Sequence, residues 1–157
     1  MKIKMICVGK TMKPFLKDGE QTYVKRLGHY SSFEKIEIPE LKNAKKLSQS
    51  QIKQQEGRLI LNQIKPGETM VLLDEHGKHY SSVEFSKYLQ KKFNSGGKGL
   101  AFIIGGAYGF SDEVYAKASG KISLSKMTFS HQMVRLFFLE QLYRGFTILK
   151  GEPYHHE

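Results

Sequence analysis

The stretch LAFIIGGAYGF, residues 100–110, contains a short apolar run that two glycines end. A continuous apolar run of this length is typical of a strand in a parallel sheet that is covered on both faces. A glycine-rich turn after such a strand allows a ligand to approach the backbone closely. The stretch therefore predicts a buried strand, followed by a turn of Gly105, Gly106 and Gly109 that either binds a ligand or only ends the strand.

The rest of the chain alternates between strand and helix signals. The segments KIKMICVG, FEKIEIP, TMVLLD and KISLS predict strands. Helix capping boxes begin at Ser48 and Ser81, each followed three residues later by Gln or Glu. Ser111, followed by two acidic residues, predicts a further short helix. Alternating strands and helices predict a single α/β domain over residues 1–157, with a mainly parallel sheet flanked by helices.

The composition limits the class of protein and its compartment. One cysteine, Cys7, among 157 residues excludes an internal disulfide and a cysteine-based zinc site, and we expect no metal. No apolar run is long enough to span a membrane, and the start does not resemble a signal peptide, so we expect a cytoplasmic protein without membrane contact. The formal net charge of +10 favours a polyanionic partner such as nucleic acid, although a lysine-rich, merely solubilising surface fits the composition as well.

The glycines of the opening stretch do not match two common nucleotide-binding loops. Their spacing differs from G-x-G-x-x-G, and no Gly-Lys-Ser/Thr sequence follows them. In parallel sheets, ligands bind beyond the carboxyl ends of the strands. We therefore expect any ligand to lie at the ends of VLLD, residues 71–74, and IIGG, residues 103–106.

The end of the chain predicts a long helix over residues 130–149. His131 and Arg135 are four residues apart, as are Glu140 and Arg144, so the members of each pair share one face of that helix. The second pair alone is typical of a surface ion pair that adds little stability. Because the predicted helix is apolar almost all round, we expect it at the centre of the domain or in a dimer interface.

Four motifs in this order support a family resemblance: IGGAYGF, LSKMTFSHQMVR at residues 124–135, EQLYRGF, and the closing PYHHE. With the start KIKMICVGK, they resemble the bacterial large-subunit ribosomal RNA pseudouridine N3-methyltransferases, which belong to the SPOUT, or α/β-knot, methyltransferases. The resemblance covers the whole chain. It implies a single-domain SPOUT α/β knot with a C-terminal trefoil knot, which general topology rules do not lead one to expect.

The resemblance also implies a cofactor, S-adenosylmethionine, which such enzymes bind in the loops of the knot through backbone groups. Because this cofactor has no phosphate, the missing phosphate-binding loops agree with it. Carried over motif by motif, the expected cofactor-binding residues are Leu73, Gly105, Gly106, Leu124, Ser125, Lys126, Met127, Thr128 and Phe129.

The implied reaction is methyl transfer to N3 of a pseudouridine in the helix 69 stem-loop of 23S ribosomal RNA, on assembled ribosomes and not on DNA. The family also implies a homodimer, in which the tail of one subunit completes the pocket of its partner. Five basic residues are candidates for contacts with RNA phosphates: Lys10, Lys13, Lys17, Lys25 and Arg26.

Tyr154 and His155 match the family's catalytic tail and are the first candidates for positioning the substrate and transferring a proton. Arg144 and His131 are further candidates, whereas Arg135 could equally support the fold or a dimer. His155 could act as the general base, since histidine titrates near neutral pH, or it could only position RNA.

The sequence departs from the family pattern at two positions. His156 replaces the usual Arg or Lys of the tail, and Ser130 replaces a proline that usually precedes the histidine. Two other functions remain open from the sequence. One is a ribosome- or RNA-binding protein without catalytic activity, and the other is a methyltransferase of the same fold that acts on another RNA base.

Overall fold

The computed structural model describes residues 1–156; Glu157, the last residue of the PYHHE motif, lies outside the described residues. Five strands form one sheet in the order β2-β1-β4-β3-β5, and each neighbouring pair is parallel. The predicted α/β fold class is confirmed, and the sheet is parallel throughout. In chain order the strands are β1 (Lys2–Val8), β2 (Phe33–Ile38), β3 (Glu68–His79), β4 (Gly99–Ile104) and β5 (Gly120–Ser123).

Helices connect the strands, and three of them begin at the serines that the sequence analysis identified as caps, Ser48, Ser81 and Ser111. Ser48 accepts a hydrogen bond from the backbone N–H of Gln51, and Ser81 from that of Glu84; both complete capping boxes. Within residues 1–156, no helix is long and apolar enough to cross a membrane. The helices are α1 (Pro14–Leu27), α2 (Gln49–Leu61), α3 (Ser82–Asn94), α4 (Asp112–Lys117) and α5 (Met133–Leu149), with a 3-10 turn at Ala44–Lys46.

The two faces of the sheet pack against different helices. Alternate residues of β1 enter two separate apolar clusters, with Met5 in one and Ile6 in the other, as the two-residue period of a strand requires. The first cluster includes side chains of α1, α3 and α5, and the second includes those of α2 and α4. All six residues of β4 are buried, which agrees with the apolar run in the opening stretch.

Strand β3 is longer than the sequence predicts. The expected strand ended at Asp74, but β3 continues to His79 because it pairs with β5 twice: Leu73 and Lys78 both lie opposite Ile122. Between these two pairings the backbone of Gly77 passes directly over β5. A Cβ atom at Gly77 would lie 2.6 Å from the backbone nitrogen of Ile122. The continuous apolar run in TMVLLD gave no sign of this second pairing.

Helix α5 begins three residues later than predicted, at Met133. Ser130 still behaves as a capping residue, since its hydroxyl accepts a hydrogen bond from the backbone N–H of Met133 at 3.1 Å. Residues 131 and 132 form a turn. His131 therefore does not share a helix face with Arg135, and the prediction that the two side chains line up on the final helix was wrong.

Replacing Gly77 with alanine should lower the free energy of unfolding by at least about 2 kcal/mol, because the added methyl group meets backbone that cannot move aside cheaply. Denaturant unfolding of the purified variant measures the effect, and failure to accumulate as soluble protein counts as the same result. Gly120→Ala is the matched control, because an added Cβ there meets no atom within 4 Å. A Gly77→Ala protein as stable as this control would show that β3 and β5 do not cross so closely.

Candidate functional site

A cleft of about 740 Å³ lies beyond the carboxyl ends of β4 and β5 and beside residues 73–76 in the middle of β3. Its walls include the segments that follow β4 and β5, which is the place where parallel sheets bind ligands. Lys126 belongs to the same loop as its neighbours but does not line the cleft. His131, one of the predicted catalytic residues, lines the cleft. So do the eight remaining expected cofactor residues, namely Leu73, Gly105, Gly106, Leu124, Ser125, Met127, Thr128 and Phe129.

Close packing leaves little room for side chains in the glycine turn of the opening stretch. A Cβ atom at Gly105 would lie 3.0 Å from the ring of Phe110, and one at Gly106 would lie 2.9 Å from the carboxylate of Glu56. Gly109 has a φ of +81°, a conformation that disfavours residues with a side chain. The turn is thus packed tightly behind and lines the cleft in front.

The loop after β5 is held by its own polar groups. The hydroxyl of Ser123 donates to the carbonyl of Ser125 at 2.9 Å, and the hydroxyl of Ser125 accepts from the backbone N–H of Met127 at 2.9 Å. These short-range bonds fix the path of the loop. They also leave Met127 with 77% of its surface exposed at the cleft.

Asp74 and Tyr115 form a polar pair in the cleft that the sequence analysis did not include among the site residues. Asp74 accepts hydrogen bonds from the backbone N–H of His76 and from the hydroxyl of Tyr115. Burial, and then the bond to Asp74, raise the pKa of Tyr115, so this hydroxyl stays protonated and serves as a donor. Asp74 was detectable as the first polar residue after an apolar strand, whereas no sequence signal links Tyr115 to it.

The guanidinium of Arg135 is fully buried and connects the cleft to β1. It donates to the carbonyls of Val8 at 2.7 Å and Gly9 at 2.9 Å, and to the hydroxyl of Thr11 at 3.1 Å. Its Nε atom donates to the carbonyl of His131 at 3.0 Å. Of the two roles left open for Arg135, these contacts favour support of the fold.

His131 lines the cleft from the turn that precedes α5. Burial lowers its pKa and the nearby charge of Arg135 lowers it further, while Glu40 acts in the opposite direction. The neutral imidazole is therefore favoured at neutral pH. In this form His131 can accept a proton or a hydrogen bond from a ligand.

A separate cluster, here called the tail cluster, joins α5 to the residues that follow it. Its members are Glu140, Arg144, Tyr154 and His155. Glu140 accepts hydrogen bonds from Arg144 at 2.5 Å and from the hydroxyl of Tyr154 at 3.0 Å. Arg144 also lies over the ring of Tyr154, at 4.8 Å from its centre, and contacts Nδ1 of His155 at 3.0 Å. The Glu140–Arg144 pair is thus more than an isolated surface ion pair, because it holds the tail in place.

Helix α1 holds the tail from the other side. The hydroxyl groups of Tyr23 and Tyr154 are 3.3 Å apart, and Tyr23 must be the donor, since Tyr154 gives its proton to Glu140. The ring of Tyr143 packs edge-on against that of Tyr154, with 4.7 Å between their centres. The pattern of the sequence did not identify Tyr23, because its partner lies more than 100 residues later in the chain.

Among residues 1–156, the tail cluster lies apart from the residues that line the cleft. Of the described residues, those that line the cleft include His131 but not Arg144, Tyr154 or His155. The four residues predicted to be catalytic are therefore divided between two places. To act on one substrate, as predicted, the four residues would have to be brought together by something other than the contacts within this chain.

Glu56 of α2 packs behind the glycine turn in an unfavourable environment. Its Oε1 atom is buried, and no hydrogen-bond donor among residues 1–156 reaches it. Burial, and secondarily the charge of Glu40, raise the pKa of Glu56. A carboxyl group at this position therefore releases its proton at a higher pH in the folded protein than in the unfolded chain.

Comparison with known proteins gives full-length matches. Residues 1–155 match the family described as "Predicted SPOUT methyltransferase". The protein named Ribosomal RNA large subunit methyltransferase H from Flavobacterium psychrophilum is 60% identical over 157 residues, covering 100% of both chains. Proteins of the same name from Parabacteroides distasonis and Bacteroides thetaiotaomicron are 55% and 52% identical, again over 100% of both chains.

One solved structure is similar at a lower level. It is the SpoU methyltransferase AviRb from Streptomyces viridochromogenes in complex with the cofactor AdoMet, with a TM-score of 0.42 and 11% sequence identity. The match covers 96% of this chain and 61% of that protein.

Replacing Glu56 with glutamine should stabilise the protein at neutral and alkaline pH. The pKa of Glu56 is higher in the folded protein than in the unfolded chain. As the pH rises from the ordinary carboxyl pKa to the raised one, the unfolded chain releases the proton first, and the folded protein therefore loses stability. We expect thermal unfolding to show a higher Tm for the variant at about pH 8 and a gap that closes towards about pH 4.

Glu113→Gln is the matched control for this comparison, because that carboxylate is 56% exposed in a helix-surface pair with Lys117. It should change the Tm little at either pH. Equal stability of Glu56→Gln and the wild type across the whole range would contradict the raised pKa of Glu56.

Proposed function

The chain belongs to the SPOUT methyltransferase family, and on this premise we propose that it methylates N3 of a pseudouridine in 23S ribosomal RNA. The observation that carries the proposal is the full-length identity of 60% with a protein named Ribosomal RNA large subunit methyltransferase H. We further propose that residues 1–157 act as one domain and that the acceptor lies in the helix 69 stem-loop of assembled ribosomes.

S-adenosylmethionine supplies the methyl group, as a sulfonium-bound methyl that a nitrogen lone pair can attack. The chemistry of the cleft fits this cofactor. Its walls combine the backbone of the glycine turn with apolar side chains such as Leu73 and Leu124, and it includes the polar pair of Asp74 and Tyr115. These groups suit a ligand with a flat aromatic base, hydroxyl groups and no phosphate.

The remaining task of the protein is to position the acceptor and to help its N3 atom lose a proton. We propose that Tyr154 and His155 contact the acceptor base and that Arg144 holds them in place. His131 lies beside the cofactor cleft and, in its neutral form, suits a contact with either substrate.

We infer a homodimer in which the tail of one subunit reaches the cleft of the other. The separation of the two places within one chain supports this arrangement. So does a group of exposed apolar side chains next to the cleft: Phe129 and Phe137 pack together with 5.0 Å between ring centres. Met12, which is 65% exposed, is held near them by the bond of its backbone N–H to Gln132. A second copy of the chain would cover these side chains.

The charge of the protein suits RNA as its partner. Five basic residues are exposed on α1 or directly before it: Lys10, Lys13, Lys17, Lys25 and Arg26. Arg26 also lies over the rings of Tyr23 and Tyr143, beside the tail cluster. We therefore propose that α1 contacts RNA phosphates near the acceptor. Because ribosomes are its substrate, we place the protein in the cytoplasm.

The decisive experiment is methyl transfer from isotopically labelled S-adenosylmethionine to ribosomes that lack this modification, followed by mapping of the labelled nucleotide by mass spectrometry. We expect the label on a single pseudouridine of the large-subunit RNA. Label on another base would identify a different RNA methyltransferase. No label together with no cofactor binding would favour a ribosome-binding protein without catalytic activity.

The dimer has a separate test. Phe137→Asp should give a monomer in light scattering and lose methyl transfer, because a charge replaces an apolar contact at the centre of the proposed interface. Phe137→Leu, which keeps the site apolar, should remain a dimer. A wild-type protein that is monomeric at the concentrations of the activity assay, yet active, would rule out the shared site.

A further inference from the structure

We propose that Lys53 of α2 binds the carboxylate in the methionine part of S-adenosylmethionine. This role rests on the proposed methyl transfer from that cofactor, and it is independent of which RNA base receives the methyl group. Two features of the structure support it: the position of α2 against the glycine turn, and the charges along the cleft.

Close packing fixes the position of α2 beside the cleft. The carboxylate of Glu56 lies against Gly106, 2.9 Å from where a Cβ atom of that glycine would be. On the same helix, a Cβ atom at Gly57 would lie 2.6 Å from the hydroxyl of Ser111, so the helix also touches the cap of α4. Lys53 precedes Glu56 by about one helical turn, and residues at this spacing share a face of the helix. Lys53 itself lines the cleft.

The charges along the cleft match those of the cofactor. Among residues 1–156, Lys53 is the only Lys or Arg that lines the cleft, whereas three carboxylates line it, those of Asp74, Glu75 and Asp112. S-adenosylmethionine carries two positive groups, the sulfonium and the ammonium, and one negative group, the carboxylate. The acidic side chains suit the two positive groups, and Lys53 is the permanent cation that suits the negative one.

The ammonium group of Lys53 is available for such a contact. Lys53 is partly buried, and the ion pairs within residues 1–156 do not include it. Glu56, on the same face of α2, packs against the glycine turn and does not pair with it. Water screens a charge in a cleft less than one on an open surface, so an ammonium there attracts a carboxylate more strongly.

A contact at the carboxylate would help to orient the methyl group. In S-adenosylmethionine the sulfur that carries this methyl group lies between the adenosine part and the amino acid part. A protein that holds both parts limits rotation about the bonds to sulfur and keeps the methyl group pointed at the acceptor. Lys53 is therefore a binding and positioning residue, and its loss should raise the KM for the cofactor more than it lowers kcat.

Two ligands that differ only in the carboxylate test this role. Decarboxylated S-adenosylmethionine keeps the sulfonium and the ammonium, and calorimetry without RNA measures the Kd of each ligand. The wild type should bind S-adenosylmethionine about 10-fold more tightly than the decarboxylated form, the usual contribution of one hydrogen bond to a charged group. Lys53→Met should bind both ligands equally, and Lys53→Arg should keep most of the preference.

Arg58→Met is the matched control for these measurements. It removes a cation from the same helix, at an exposed position that does not line the cleft. Because it changes the net charge of the protein by the same amount as Lys53→Met, it separates a direct contact from a general effect of charge. We expect Arg58→Met to bind both ligands as the wild type does.

Three results would overturn the proposal. A wild type that binds both ligands equally has no contact to the carboxylate. Equal weakening of both ligands in Lys53→Met would mean that the side chain only shapes the cleft. Unchanged Kd values together with a higher KM for ribosomes would mean that Lys53 contacts RNA. Because the binding measurements contain no RNA, these results are separate from the identity of the methylated base, whereas a wild type that binds neither ligand would contradict the cofactor cleft itself.

Discussion

The buried guanidinium of Arg135 connects the parts of this protein on which the site depends. Its bonds to Val8 and Gly9 satisfy carbonyls at the end of a central strand, and its bond to His131 fixes the turn that enters α5. Apart from Glu37, 3.7 Å away, its partners are neutral oxygen atoms. Removing the guanidinium would leave several buried acceptors unpaired, each at a cost of about 1–3 kcal/mol. The loop that lines the cleft is therefore tied to the centre of the sheet by one side chain.

Local patterns in the sequence were sufficient for most of the fold. Capping boxes at Ser48 and Ser81 and the apolar run of β4 depend on residues close in sequence, and the structure has them as predicted. The two errors have different causes, one in a distant strand partner and one in local bonds. Strand β3 continues past Asp74 because β5 lies beside it, and α5 begins late because Arg135 and Ser130 hold a turn in front of it.

The sequence was likewise sufficient to predict only part of the candidate site. Eight of the nine cofactor residues that the resemblance to a methyltransferase family implied line the cleft, and Lys126 does not. It also identified the tail residues, but not the cluster that holds them. Tyr23, Tyr115 and Glu56 had no local signal, because each acquires its contact only when separate parts of the chain pack together. Their roles follow from three-dimensional neighbours, which a single sequence does not show.

The two ends of the described chain lie in different surroundings. Met1 precedes the amino end of β1 and is 40% exposed, whereas the cleft lies at the carboxyl ends of the strands. Near the other end, by contrast, Glu152 is held by a hydrogen bond from Tyr30, and Tyr154 is held by bonds with Tyr23 and Glu140. An affinity tag or fluorescent label is therefore best attached at the amino terminus. At the carboxyl terminus it would extend from the very residues that hold the tail.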